Sequence, residues 1–354
     1  MNISTKLNDE QIDPDKPSNG YEWWYFDALS IDKQWGIALI FYHGNPFSPN
    51  YIQAIDGIPN QYPAISVSIY RNGKPEYYSF LEYDEGMFHW DEDEHTGSIG
   101  SNFFKRSEID GVLEYELLLA QTLESGHSIN AKLKFTSHTI SDELIDNVSK
   151  DEKHYWNLIQ PQAKVNGSII LKGKSDDHNL IFTGAGYHDH NTGHEPMKDS
   201  FKDWYWGRFH FKESTLIYYI MNGLDGNKQH QAWLISKDGG EVLQKFDQIN
   251  LEYYQKNLFS LNVAKKIILS SGNTKVTIQQ RKLLDNGPFY QRFYSDAVMI
   301  NNNKTVASTG ISEYIKPEMI YEEKYWWMIK MRLRFMNKKP HWVQRLKMFY
   351  EWTW

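Results

Sequence analysis

From Tyr21 to Tyr314 the chain is a succession of short runs rich in β-branched and aromatic residues, each closed by turn residues. Tyr21–Ser30, Trp35–Tyr42, Ala64–Tyr70, Lys164–Leu171 and Leu180–Tyr187 are examples, and the series resumes at Trp204–Phe211. Between them stand hairpin breakers such as Arg71-Asn72-Gly73, Asp238-Gly239-Gly240 and Asn301-Asn302-Asn303. Helical periodicity is nearly absent until about Tyr321. The pattern yields roughly fourteen to eighteen strands, too many for one small barrel of about eight. It predicts an all-β fold in two consecutive domains.

The boundary is expected in the polar loop after Asn191. The expected division is a polar N-terminal segment (1–20), a first β domain (21–200), a second β domain (201–320) and a basic, aromatic, helical tail (321–354). A chain of 354 residues exceeds what one core usually serves, which agrees with two domains.

The chain has no cysteine, which excludes disulfides, thiolate metal sites and a cysteine nucleophile. Its 13 Trp, 23 Tyr and 18 Phe suit strands and the walls of apolar cavities. Net charge is −7, yet Lys324 to Tyr350 carries eight Lys or Arg and no acid, leaving −15 on the rest. An acidic body with a basic aromatic tail argues against nucleic-acid binding and leaves contact with an anionic membrane open. Residues 1–20 show no basic stretch followed by an apolar one, and no run approaches the roughly 20 apolar residues of a membrane span. The expectation is a cytoplasmic protein, with peripheral membrane association through the tail as an added reading.

Two segments carry candidate chemistry: His154-Tyr155-Trp156 and Gly186-Tyr187-His188-Asp189-His190-Asn191. Side chains on a strand alternate faces, so His154 shares a face with Trp156, and Tyr187 shares one with Asp189. If those faces meet, an acid, a phenol, an imidazole and an indole converge. A carboxyl in apolar surroundings resists ionisation and can act as a general acid. The indole face tolerates positive charge, and neutral imidazole is the usual base for water. The competing interpretations are a loop aspartate capping a turn, a core tryptophan and a buried histidine bonded to backbone.

These segments resemble the carotenoid 1,2-hydratase and AttH-like family of lipocalin-like proteins. The matching motifs occur in order: Tyr21-Glu22-Trp23-Trp24-Tyr25-Phe26-Asp27, then His154-Tyr155-Trp156, then Gly184-x-Gly186-Tyr187-His188-Asp189-His190-Asn191-x-Gly193, then Trp204-Tyr205-Trp206-Gly207-Arg208. The resemblance implies two lipocalin-like β-barrel domains in tandem and a pocket near their junction. It implies hydration of a terminal isoprenoid double bond without a cofactor, with catalytic roles for Asp189, Trp156, Tyr187 and His154. In the family's hydratases a small polar residue follows the acid, where this chain has His190. The Asp-His-Asn form looks more like the AttH-like branch. Related fungal lipocalin-like proteins include pericyclases and a kievitone hydratase, so the fold does not fix the reaction.

Candidate substrate-binding residues are Trp23, Tyr25, Trp204, Trp206, Arg208 and His190. Arg208 is expected to pack with its guanidinium snorkelling to water. His188, His190 and His194 raise a metal reading, but the first two face away from Asp189 on a continuing strand. No metal and no cofactor are expected, and no nucleotide-binding or Gly-x-Ser-x-Gly signature is present. The resulting expectation is a cofactor-independent enzyme. It protonates an olefinic isoprenoid or polyketide-like substrate, followed by hydration or cyclisation. The alternatives are a pericyclase and a non-catalytic lipid- or pigment-binding protein.

Overall fold

The computed structural model describes residues 1–142, 144–145 and 153–354. The chain divides into two units: Met1–Pro196 with Glu323–Trp354, and Met197–Glu322. The division falls inside the polar loop between Gly193 and Phe201. The C-terminal tail belongs to the first unit.

The first unit is one curled sheet, 13-stranded among the described residues. Its centre is β1 (Tyr21–Ser30), β2 (His154–Lys172) and β3 (Asp177–Gly193), with β3 between the other two. Beyond β1 lie Trp35–His43, Ala64–Arg71, Lys74–Glu82 and, at the edge, Leu333–Phe335. Beyond β2 lie Ser128–His138, Val112–Thr122, Asn102–Ile109, Thr96–Ile99 and Phe88–Asp91. The pairings end at these edge strands, so the sheet is a curled half-barrel with open ends.

Turn chemistry follows the sequence closely. Asn72 and Gly73 both take positive φ, as do Asp110 with Gly111 and Asn302 with Asn303. Two consecutive positive-φ residues give the twist that two-residue hairpins need.

The sheet's concave side holds the core, with Trp24, Phe26 and Ala28 of β1 meeting Ile37, Leu39, Phe104, Leu117, Phe135 and Val165. Trp23, Tyr25 and Asp27 point to the other side. Nearly every residue of β1 is buried, which is why its sequence does not alternate cleanly between apolar and polar. β2 is irregular between Leu158 and Ala163. Pro161 lies in this interval, where a residue without an N–H is tolerated.

The N-terminal segment is more structured than its composition suggests. Asn2–Ser4 pairs in parallel with β2 at Tyr155–Asn157. Glu10 is buried, where it accepts hydrogen bonds from Arg106 and Tyr115.

The second unit is a 9-stranded curled sheet among the described residues. Its central strand β4 (Phe201–His210) lies between Ser214–Gly223 and Lys304–Ile315. Tyr205 and Phe209 join its core with Leu216, Tyr218, Ile267 and Ile278. Trp204, Trp206 and Arg208 occupy the opposite face.

Candidate active site

β3 presents two different chemistries on its two faces because its partners are in strict register. On one side it pairs Tyr187 with Asp27, Asp189 with Tyr25 and Asn191 with Trp23. On the other, Asp189 faces Leu158, Asn191 faces Trp156 and Gly193 faces His154. Directly opposed residues share a face. Tyr187, Asp189 and Asn191 therefore stand in a row flanked by Trp156 and His154 on β2, and by Trp23, Tyr25 and Asp27 on β1.

Asp189 is the centre of this row. Its Oδ2 accepts from the Trp156 indole N–H at 2.8 Å and from the Tyr187 hydroxyl at 2.6 Å. Its Oδ1 accepts from the Asn191 amide at 2.8 Å. Asp189, Trp156, Tyr187 and Asn191 are all buried. Asp189 lies within a strand rather than in a turn, so the turn-capping interpretation does not hold. Burial favours the neutral acid, whereas three donors favour the carboxylate.

The juxtaposition of Asp189 with Trp156 and Tyr187 was legible from the two alternating motifs. Two details were not. The indole spends its N–H on the acid, in addition to any use of its π face. Asn191, at the end of the motif, supplies the third donor.

A second carboxylate stands beside the row. Asp27 is fully buried and accepts from the Tyr25 hydroxyl at 2.9 Å. Tyr25-x-Asp27 repeats Tyr187-x-Asp189 on the antiparallel neighbour, and the Tyr25 and Tyr187 rings meet edge-on at 6.2 Å. That repeated Tyr-x-Asp spacing was the signal available in the sequence.

His154 is held at the end of the row. Its Nδ1 is 2.8 Å from the Tyr21 hydroxyl, and its Nε2 is 3.7 Å from Glu195. Tyr21 lies across Gly193, the residue between it and His154. A Cβ at Gly193 would sit 2.3 Å from the Tyr21 ring, so only glycine lets the phenol pass. Trp23 stacks on Tyr21 at 4.8 Å.

The structure does not bring His190 to this face. His188 and His190 point the other way, stacked on Phe26 and Trp24 at 3.8 and 4.7 Å. His190 Nε2 is 3.1 Å from Glu22, and His188 Nε2 is 2.8 Å from Glu10. His194 turns to a third carboxylate, Asp13. The three histidines therefore diverge, each with its own acid. His188 Nδ1 also bonds the Tyr25 carbonyl.

Burial raises the Glu22 carboxyl, but the hydrogen bond with His190 and the nearby His43, 3.7 Å away, outweigh it and hold the group down at about 2. Glu10 is raised by burial and lowered more by His188, Arg106 and Tyr115, ending below its usual range. A cleft of about 460 Å³ opens on the first unit beside Glu22, His190, Thr192 and His194, away from Asp189.

Trp204, Trp206 and Arg208 lie in the second unit. Arg208 is fully buried, so its guanidinium does not snorkel to water as the sequence suggested. In register, Trp206 faces Tyr219 and Glu313, and Arg208 faces Ile217 and Ile311.

A family model described as carotenoid hydratase CrtC matches residues 39–339. The chain belongs to the carotenoid hydratase CrtC family. Among its relatives is the hydroxyneurosporene dehydrogenase of Chlorobaculum tepidum, 29% identical, with 90% of this chain aligned to 88% of that protein. The acyclic carotenoid 1,2-hydratase of Rubrivivax gelatinosus is 26% identical, and the alignment covers 62% of this chain and 52% of the relative. The match thus spans about half the length of that hydratase. Among solved structures, an AttH protein from Nitrosomonas europaea superposes with a TM-score of 0.60 at 16% identity, covering 88% of this chain and 96% of that one. This likeness establishes the lipocalin-like AttH fold for the CrtC-family chain. The family's name marks hydratase-type chemistry.

Proposed function

We propose that this protein hydrates a terminal carbon–carbon double bond of an acyclic isoprenoid substrate. The observation that carries the reading is the convergence of Trp156, Tyr187 and Asn191 on the buried Asp189. Protonated Asp189 gives its proton to the less substituted alkene carbon, and the tertiary cation forms on the other. The three donors stabilise in advance the carboxylate that appears as the proton leaves. This is charge stabilisation by groups already oriented, which needs no reorganisation during the step.

Water then attacks the cation. His154 serves as its base in the tautomer whose Nδ1–H donates to Tyr21 Oη, leaving Nε2 to accept the water proton. Glu195, 3.7 Å from Nε2, steadies the imidazolium that results. The aromatic faces of Trp23, Tyr25 and Trp156 suit a polyene and a transient cation. The imidazolium then releases its proton to solvent and Asp189 takes one up, which restores both groups, so the proposal calls for no cofactor.

Turnover of an acyclic carotenoid in D₂O tests the proposal. The expected product is a tertiary alcohol with one deuterium at the carbon that received the proton. A ring-closed isomer free of deuterium would instead indicate a pericyclic reaction. Tight binding without any product would indicate a carrier.

A further inference from the structure

The tail is anchored to the first unit and still leaves its most apolar side chains in water. It comprises α1 (Trp326–Arg332), the edge strand Leu333–Phe335, α2 (Trp342–Arg345) and α3 (Lys347–Trp352). The edge strand adds in parallel to Lys74–Glu82. Val343 and Tyr350 are buried, Glu351 bonds His127 at 2.9 Å, and Gln344 bonds the Leu333 carbonyl at 3.0 Å. The sequence pairs Val343 with Trp342, Leu346 and Phe349 on one apolar helical face. The structure breaks that face at Leu346, where α2 ends and α3 begins.

Trp342 is 52% exposed, Leu346 49%, Met348 72% and Trp352 74%. Trp342 packs edge-on against Phe349 at 5.3 Å, and Phe349 is itself 42% exposed. Soluble surfaces rarely concentrate large apolar side chains in this way without a partner. Lys338, Lys339, Arg345 and Lys347 are exposed in the same stretch.

We propose that α2 and α3 dock on an anionic lipid bilayer, with Trp342, Met348 and Trp352 entering the headgroup region. Charge complementarity selects this occupant. Lys338, Lys339, Arg345 and Lys347 are exposed here, and the one acid of α2 and α3, Glu351, lies against Lys347 and His127. A second copy would bring like charge against like charge across a two-fold interface, whereas anionic headgroups neutralise it. Aromatic rings beside lysine and arginine are the side chains that interfacial elements use. No helix among the described residues is long and apolar enough to cross a membrane, so the contact is peripheral. The proposal stands on the tail alone and does not depend on the reaction at Asp189.

The test is flotation of the intact protein with vesicles of phosphatidylcholine alone or with added phosphatidylserine. The expected result is binding to the anionic vesicles, weakened by salt. Each cation near the surface contributes about fivefold in partitioning. Lys338→Gln, Lys339→Gln and Arg345→Gln together should lower binding by roughly 100-fold. Trp342→Ser with Trp352→Ser should lower binding to anionic vesicles with the charges intact. These residues are exposed, so circular dichroism should confirm an unchanged fold. Equal partitioning to both vesicle types overturns the proposal. So does binding unchanged in both variants, or a dimer that the tryptophan substitutions dissolve.

Discussion

Replacing Trp156 with Phe isolates what the indole N–H does for Asp189. Phenylalanine keeps an aromatic ring on β2 and removes the donor 2.8 Å from Oδ2. A hydrogen bond to a charged group contributes about 1.5–3 kcal/mol. That free energy stabilises only the carboxylate, so its loss favours the protonated form. At about 1.36 kcal/mol per pH unit, the limb on which activity falls as pH rises should move up by about one to two units. The acid also becomes weaker. The barrier to protonating the alkene rises by at most the same free energy, so kcat at the plateau falls by no more than roughly 10- to 150-fold. The assay is kcat against pH for the two proteins with one acyclic substrate, alongside the substrate Kd. A limb that stays in place, with only Kd altered, would refute the reasoning and leave the indole as a wall of the pocket.

Three further outcomes follow from the geometry. The ordinary carboxyl value of Glu22 is 4.5 and its folded value is about 2. Its stabilisation is therefore fully present above pH 4.5 and lost as pH falls toward 2. Urea titrations should show the stability gap between wild type and Glu22→Gln narrowing by about 3 kcal/mol across that window. A gap independent of pH would contradict the assignment. Gly193→Ala should displace the Tyr21 ring from His154, costing about 1–3 kcal/mol in stability, and thermal melts with activity should show both losses. Asn191→Ala should lower kcat with little change in Kd, and an effect on Kd alone would remove Asn191 from the acid's support.

The strand-rich fold and the pairing of Asp189 with Trp156 were legible because period-two patterns and turn residues are local signals. The hairpins at Asn72-Gly73 and Asn302-Asn303 needed no tertiary information. The Tyr25-x-Asp27 repeat of Tyr187-x-Asp189 was visible, but that the two stand side by side comes from the register between β1 and β3, a long-range pairing no local pattern encodes. His190 is one residue from Asp189, and strand parity alone sends it to the core face with Trp24 and Glu22. The N-terminal segment looked like solvated polar chain. Glu10 is drawn inside because Arg106 and Tyr115 of one hairpin and His188 wait there, from two distant parts of the sequence. In the tail the apolar spacing was visible but the break at Leu346 was not. That break turns Trp342, Met348 and Phe349 outward.

The central claim is that Asp189 is the proton donor. Asp189→Asn preserves shape and most hydrogen-bonding capacity and removes the transferable proton. Single-turnover conversion of a bound acyclic carotenoid, with Kd measured on the same samples, tests the claim most directly. The account predicts Kd within a few-fold of wild type and conversion slowed by roughly 10²–10⁴-fold. Conversion at the wild-type rate by the Asn191-supported amide at position 189, with no solvent deuterium in either product, would contradict it.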